Sequence, residues 1–551
     1  MISLSLYNGH NACICIMKDG EILLNWELER FSRVKHDYGF NKKFLEKSLE
    51  LAGIDNEEDI DVILTNSLCH GRPPPWSVPH TSGVRIAEAR VDNAEWVPLD
   101  GCPIIAMNHH LAHVASSYYT SPFDSATILT QDGGGDNGEN FSIATAKGNK
   151  IIKWKYGQVV NVASWWSGLS LNNFRMPRIH EWDPGAGAGK LMALAAYGKT
   201  SQYLEDKLFL DMSKGTMPDY TDNHSCAYNN DEDLSDTGQQ NSRNVAAALQ
   251  GVTERHIKAI YDDAYVRYPD DNLCISGGLA LNCVANTRVF INQWWGNIRK
   301  KCEFKKLHVP SFPNDSGLAV GMALYHWHHI LDNPKKMITN DRYFSPYLGP
   351  KYSHKEIEEV KAKVNPELAM VEEGYTIDDI AEIIANENVI CVWRGRSESG
   401  PRALGHRSII CLPSMKGGRD YLNSKVKNRE MYRPYAPIIL DKYVDEVLEQ
   451  YLPVSPYMST SGTIKEEWRD RMSACNHVDN STRPQIIHRE HDRFTYNLIE
   501  VVYEKTGIPA ILNTSFNMQE PIVETPEEAL NTFFKFPIKY LLLENSMITK
   551  L

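Results

Sequence analysis

Two short stretches carry the residue types that do chemistry. Asn108-His109-His110-Leu111-Ala112-His113 puts imidazoles four apart, and Asp132-Gly133-Gly134-Gly135-Asp136 puts carboxylates on a glycine-rich turn. Residues four apart project from one face of a helix, so His109 and His113 can grip one ion, and Asp132 can complete the set. The apolar run 126–130 before Asp132 predicts a buried strand. Such a strand ending in Asp-Gly-Gly-Gly can bring a carboxylate and bare backbone N–H groups up to a phosphate. A metal beside a nucleotide is the chemistry these residues suggest. Taken alone, the histidine pair fits solvated or backbone-bonded imidazoles better than a ligand pair, and the later motifs reverse that weighting.

Further motifs share that form. Ile275-Ser276-Gly277-Gly278-Leu279-Ala280-Leu281-Asn282 predicts a strand running through a double glycine into a helix, where N–H groups can approach phosphate or ribose. Pro313-Asn314-Asp315-Ser316-Gly317 places Asp315 at a helix start, as a fourth metal ligand or as a helix cap. Gly185-Ala186-Gly187-Ala188-Gly189-Lys190-Leu191 is not a P-loop, because Leu191 stands where magnesium binding needs Ser or Thr. Residues 393–408 pack Arg394, Arg396, Arg402 and Arg407 among Gly395, Gly400 and Gly405, and Lys427, Arg429 and Arg433 follow. Arginine forks suit oxyanions, so this stretch and Asn513-Thr514-Ser515 describe an anion pocket.

The elements that must position these groups are legible in outline. Apolar runs 2–7, 12–17 and 22–26, with Asp19-Gly20 between the last two, predict a β-meander whose first turn is Asn8-Gly9-His10. Alternating strand and helix patterns then run to about residue 327, which predicts α/β layers without an internal sequence repeat. The segment 222–241 and the Pro-rich stretch 72–76 predict long loops. A boundary at 345–350 separates domains at 1–345 and 352–551, and the second has a helix predicted over 355–364. Thr525-Pro526-Glu527-Glu528 announces its last helix as a capping box. Trp154, Trp165, Trp166, Phe174 and Trp182, near Arg175 and Arg178, suggest a stacking platform or ordinary core.

Composition narrows the classes. The 551 residues are 42% hydrophobic and 23% charged, which fits a folded chain of several cores. A net charge of −12 argues against a surface built to grip nucleic acid non-specifically. Eleven cysteines without a C-x-x-C pair fit a reducing compartment. No apolar run reaches the length of a membrane span and no signal peptide is evident, so the expectation is a cytoplasmic protein.

In order along nearly the whole chain, these motifs resemble the O-carbamoyltransferases that act on nodulation factors, cephamycins and aminoglycosides. The resemblance implies an actin/Hsp70-like duplicated ATPase fold, similar to the threonylcarbamoyl-transfer proteins of tRNA modification, followed by a YrdC-like α/β domain. It implies carbamoyl phosphate, ATP with Mg²⁺, a hydroxylated acceptor and Fe(II) or a similar divalent metal. Carried over by position, His109, His113, Asp132 and Asp315 would hold the metal. Gly133, Gly134, Lys190, Gly277, Gly278, Asn282 and Asn314 would contact nucleotide. Arg402, Lys427, Arg433, Arg483, Asn513 and Ser515 would hold carbamoyl phosphate, with Arg402 also catalytic. His10 would be the general base beside the acceptor, although Asn11 stands where family members usually carry Asp.

The expected reaction is transfer through carbamoyl adenylate to a metabolite, a sugar or a hydroxymethylated base, nucleic acid entering only as acceptor. A tRNA threonylcarbamoyl transferase, a small-molecule kinase and a non-catalytic nucleotide-binding scaffold are the competing readings. A homodimer stays open.

Overall fold

A computed structural model describes residues 1–39, 42–66, 84–87, 102–136, 138–174, 187–217, 220, 237–291, 302–335 and 343–551. The predicted meander forms as β1 (Ile2–Tyr7), β2 (Cys13–Lys18) and β3 (Glu21–Glu27). Asp19 and Gly20 both have positive φ, 49° and 86°, as the right-twisting two-residue hairpin turn requires. β4 (Val62–Asn66), β5 (Val84–Ala87) and β6 (Ile104–Met107) complete a sheet of order β3-β2-β1-β4-β6-β5, in which β4 and β6 continue parallel to β1.

The second sheet repeats this plan. β7 (Ser125–Gln131), β8 (Phe141–Lys147) and β9 (Lys150–Gly157) form the antiparallel meander, while β10 (Asn272–Ser276) and β11 (Lys306–His308) run parallel to β7. The order β9-β8-β7-β10-β11 matches β3-β2-β1-β4-β6, and in each copy the register slips between the second and third strands. The molecule therefore contains the duplicated actin-like fold, although no repeat shows in the sequence.

The helices His109–Tyr119 and Leu318–Leu324 share one buried cluster with residues of both sheets. They approach so closely that a Cβ at Gly321 would lie 2.0 Å from the carbonyl oxygen of Ala112. This contact sets the first helix, which carries His109 and His113, against the segment that carries Asp315.

The C-terminal half is an eight-stranded mixed sheet with helices packed against it. It comprises β12 (Ala369–Glu373), β13 (Ile390–Trp393), β14 (Arg407–Cys411) and β15 (Ala436–Leu440), then β19 (Gln485–Ile487), β20 (Ala510–Ser515), β21 (Tyr540–Leu543) and β22 (Ser546–Lys550). The strands between, β16 (Leu448–Glu449), β17 (Gly462–Ile464) and β18 (Ser481–Thr482), make a small separate sheet. The helix predicted over 355–364 runs His354–Lys361 behind a Ser353 capping box. At the last helix, Thr525 caps the Glu528 N–H as expected, but the Glu528 carboxylate takes the N–H of Glu524, so the box is only half closed.

Two loop expectations change. Residues 237–241 of the expected 222–241 loop are the first turn of the helix Thr237–Arg267, and the remainder and the stretch 72–76 lie outside the described residues. Trp165, Trp166 and Phe174 are core residues rather than a platform, and Trp182, Arg175 and Arg178 lie outside the described residues. Trp154 stacks on Tyr156 within β9. No helix among the described residues is long and apolar enough to cross a membrane.

The two halves meet along β3 and the segment 396–400. Glu27 accepts the Gly400 N–H at 2.6 Å, and Arg30, buried at 2% exposure, donates to the Gly400 carbonyl at 3.1 Å. Arg396 donates to the carbonyls of Leu23, Leu348 and Gly349, while Arg33 donates to those of Pro521 and Ile522. Gly400 has φ of 103°, and a Cβ there would sit 2.2 Å from the Ser311 carbonyl oxygen. Gly400→Ala is expected to destabilise the protein by at least about 2 kcal/mol, because it adds backbone strain and a clash at the seam. Urea titration followed by tryptophan fluorescence measures this loss.

Candidate active site

The predicted metal ligands converge from three segments. Asn108 caps the helix His109–Tyr119 by accepting the His110 and Leu111 N–H groups, so this helix starts with His109 pointing into the cleft. Asp132 follows β7, and Asp315 opens a short 3-10 turn before the helix Leu318–Leu324. His113 Nε2 lies 3.1 Å from Asp132 Oδ2 and 3.3 Å from Asp315 Oδ1, while His109 Nε2 lies 3.9 and 3.6 Å from the same two oxygens.

These spacings approach the edges of a coordination shell with metal–ligand bonds of about 2.1 Å, which run to roughly 3–3.4 Å. The donors fit a metal on a second count. Both ring nitrogens of His109 are buried and make no hydrogen bond. Two imidazoles and two carboxylates make a mixed nitrogen and oxygen set suited to Fe(II), Mn²⁺ or Zn²⁺ rather than an all-oxygen magnesium cage. His110, next along the helix, is spoken for by Thr130 and the Glu139 carbonyl, and its pKa falls to about 4 through burial and the neighbouring His109 and His113.

Charge balance tells the same story. Burial alone would lower the His109 pKa, but Asp315 and Asp132 outweigh it and hold the imidazole up at about 9. Burial likewise opposes ionisation of Asp132, yet His109 and His113 keep it well below the usual carboxylate range. The paired carboxylates demand positive charge at this spot.

Asp315 also faces the other way. Its Oδ2 accepts the Tyr7 hydroxyl hydrogen bond and lies 3.3 Å from His10 Nε2. His10 Nδ1 is 3.0 Å from Asn11 Oδ1, and the Asn11 amide nitrogen is 2.9 Å from His36 Nδ1. Asn11 has φ of 61°, a left-handed conformation that Asn tolerates, so the residue serves both as the turn and as the orienting group for His10. Asn11 Oδ1 can only accept, which gives His10 Nδ1 the proton of that bond, and Nε2 faces Asp315 Oδ2 in the site. Tyr7 was not foreseen; its signal was its position at the last residue of β1, before the Asn8-Gly9-His10 turn.

The expected nucleotide residues divide. Gly278 donates its N–H to Asp132 Oδ2 at 3.0 Å, and Gly133 donates to Asp132 Oδ1, so both turns lie at the centre; Gly134 follows on the same turn and Gly277 precedes Gly278. Asn314 accepts the Ser316 hydroxyl. Asn282 exchanges two hydrogen bonds with Gln250, of 2.9 and 3.2 Å, and accepts the Ala285 N–H, which uses its amide oxygen twice and its amide nitrogen once inside the protein. Lys190 pairs with Glu430 of the C-terminal half at 2.9 Å.

A cavity of about 420 Å³ lies between the two halves. The C-terminal half contributes Arg402, Arg429, Arg433, Arg483, Asn513 and Ser515, and the first half contributes Gly189, Gln250, Glu254 and Cys283. Among the described residues neither Arg402 nor Arg483 has an ion-pair partner, and Arg483 Nε is buried without a hydrogen bond. Burial, then Arg483 and Arg433, push Arg402 down to about 9. Guanidiniums crowded against one another and lacking carboxylates define an anion site.

The dense arginine motif is otherwise structural, which corrects its reading as one pocket. Arg394 pairs with Asp492 at 2.8 Å, Arg396 holds the seam, and Arg407 is fully buried over the Trp393 ring with Glu524 as its acid partner. Lys427 does not line the cavity. Its ammonium lies beneath the 513–517 turn, bonded to Ser515 and to the Asn517 carbonyl and side chain, and so fixes Ser515 from behind.

A duplicated actin-like fold with a two-histidine, two-carboxylate centre and a separate cationic cavity defines a two-domain, group-transferring α/β protein. Family models for the carbamoyltransferase N-terminus and C-terminus match residues 87–324 and 381–550, and the chain belongs to the carbamoyltransferase family. It is 30% identical to an uncharacterized protein of Synechocystis over 98% of this chain and 95% of that one. It is also 30% identical to nodulation protein U of Sinorhizobium fredii over 74% of this chain and 72% of the relative. Nodulation protein NolNO of the same species is 27% identical over 98% of this chain and 79% of its own length. Among solved structures, HypF in a phosphate- and nucleotide-bound form aligns with 60% of this chain and 56% of its own, at 12% identity and a TM-score of 0.32.

His113→Ala is expected to weaken binding of a divalent metal by more than about a hundredfold, since even the loss of an outer-shell partner costs ten- to a hundredfold. Metal content and titration with Mn²⁺ or Fe²⁺ measure the loss. An unchanged thermal melt would show that the fold survives.

Proposed function

We propose that this carbamoyltransferase is an ATP-dependent O-carbamoyltransferase that works through carbamoyl adenylate. The observation that carries the reading is the cavity in which the unpartnered Arg402 and Arg483 of one half face Gly189, Gln250 and Cys283 of the other. In the first step, carbamoyl phosphate held by Arg402, Arg433, Arg483, Asn513 and Ser515 loses phosphate to water, leaving carbamate. The carbamate oxygen attacks the α-phosphate of ATP, forming carbamoyl adenylate and expelling pyrophosphate. Crowded guanidiniums stabilise the charge that builds on the phosphoryl oxygens.

In the second step an acceptor hydroxyl attacks the carbamoyl carbon. Its proton passes to His10 Nε2 and AMP leaves, giving the carbamate ester. Tyr7 and Asp315 set the position of His10 on one side and Asn11 sets its tautomer on the other. Fe(II) or a similar ion held by His109, His113, Asp132 and Asp315 would polarise the carbonyl or adenylate oxygens, and Mg²⁺ would accompany ATP. The acceptor is a hydroxylated small molecule, sugar or hydroxymethylated base.

Pyrophosphate release that requires both ATP and carbamoyl phosphate tests the reading, and its absence would overturn it. Arg402→Ala is expected to raise the half-saturating carbamoyl phosphate concentration roughly thirtyfold, the equivalent of about 2 kcal/mol for a lost charge-assisted contact. The acceptor requirement should stay within about twofold, as initial rates at varied concentrations of each substrate would record.

His10→Asn separates the steps. Pyrophosphate release should continue near the parental rate while carbamoylated product, followed by mass shift, falls at least about a hundredfold. Loss of both outputs would place His10 in the first step instead.

A further inference from the structure

Glu254 is a buried acid that the proposed mechanism does not use, on the wall of a cavity dominated by arginines. It sits on the helix Thr237–Arg267 at 1% exposure and lines the cavity with Gln250, Cys283 and Arg288. One oxygen is committed: Oε1 accepts from Gln250 Nε2 at 2.9 Å and from Arg288 Nη1 at 3.4 Å. Among the described residues no hydrogen bond engages Oε2. A carboxylate this deeply buried is costly unless a donor completes it.

The neighbours say which donor. Gln250 spends its amide on Glu254 and on both ends of the Asn282 amide, and Asn282 in turn caps the helix Cys283–Ile291. Arg288 is shared between Glu254 and Asp479. The position at Glu254 Oε2 is thus an acceptor that neither Gln250 nor Arg288 bonds. An adenine edge needs a donor and an acceptor together, and a phosphate needs donors alone. A vicinal diol needs acceptors.

We infer that Glu254 reads the ribose hydroxyls of the nucleotide, making it a specificity-determining residue of the ATP site, and that Asn282 acts through Gln250 by holding this carboxylate in place. The inference rests on the ATP-dependent reading above. The arginine wall takes the phosphates and the Glu254 wall takes the sugar, so the nucleotide spans the seam between the halves. Burial raises the Glu254 pKa while Arg288 opposes the rise, in keeping with a carboxylate whose remaining partner arrives with the ligand.

The test is calorimetric titration of the full chain, without turnover, using ATP, 2′-deoxy-ATP and 3′-deoxy-ATP. The parent should bind ATP at least tenfold more tightly than at least one deoxynucleotide. Glu254→Gln and Glu254→Ala should each lower that ratio below threefold, with thermal melts and the dissociation constant for carbamoyl phosphate held within twofold of the parent. Asn282→Ala should reduce the ratio in the same direction, since it removes the support of Gln250.

A folded Glu254→Gln or Glu254→Ala protein that keeps the full ratio would overturn the inference. So would a parent that binds all three nucleotides equally, and in that case the ATP-dependent reading would stand. A parent that binds no ATP would take down both.

Discussion

The Asp315 carboxylate is the constraint on which the site turns. It is 2% exposed, and its two oxygens face different chemistry: Oδ1 lies between His109 and His113, and Oδ2 between Tyr7 and His10. A buried carboxylate near a second one, Asp132, is tolerable only where positive charge compensates. The structure supplies histidines for that purpose, with His109 held charged to about pH 9 by Asp315 and Asp132 after burial is overcome. A divalent ion would satisfy the same demand with the imidazoles neutral. The side of Asp315 that meets His10 is thereby coupled to the side that meets the metal ligands.

The duplicated fold explains why these groups can meet. His10 follows β1, His109 follows β6, Asp132 follows β7, Gly277 follows β10 and Asp315 lies beyond β11. All of these lie beyond the carboxyl ends of strands that run parallel within their own sheet, the edge where open α/β sheets place their ligands. The first copy supplies the base and the imidazoles, while the second supplies the carboxylates and the glycine turns. The tight helix crossing at Gly321 and Ala112 fixes one set against the other. No sequence repeat was visible because duplication here preserves strand order and a register slip, both of which many apolar sequences satisfy.

The legible parts of the sequence were those where chemistry and local geometry coincide. Histidines four apart on a capped helix and acids on turns after strands converged as read, and Asp19-Gly20 made the expected turn. The aromatics and most of the arginines were less legible, because their fate depends on partners far away in sequence. Trp165, Trp166 and Phe174 entered the core, and Lys427 was drawn under a turn nearly ninety residues distant. Glu254 and Gln250 gave no signal at all, since a long helix carries many such residues and only folding shows which face a cavity.

What separates a structural arginine from a ligand-binding one is the identity of its partners. Arg394 and Arg407 have carboxylates, and Arg30, Arg33 and Arg396 have backbone carbonyls across the seam. Their charge is already answered: Arg30, Arg33 and Arg396 hold the halves together, while Arg394 and Arg407 brace the C-terminal half itself. Arg402 and Arg483 are answered by neither acid nor carbonyl among the described residues, and no contact there offsets the repulsion that lowers the basicity of Arg402. The seam arginines make this affordable to the fold: the halves are fixed by bonds directed at main-chain atoms, so the unanswered pair can be held at the interface without pushing it apart. The same arrangement that stabilises the domain pairing therefore concentrates uncompensated positive charge between the halves.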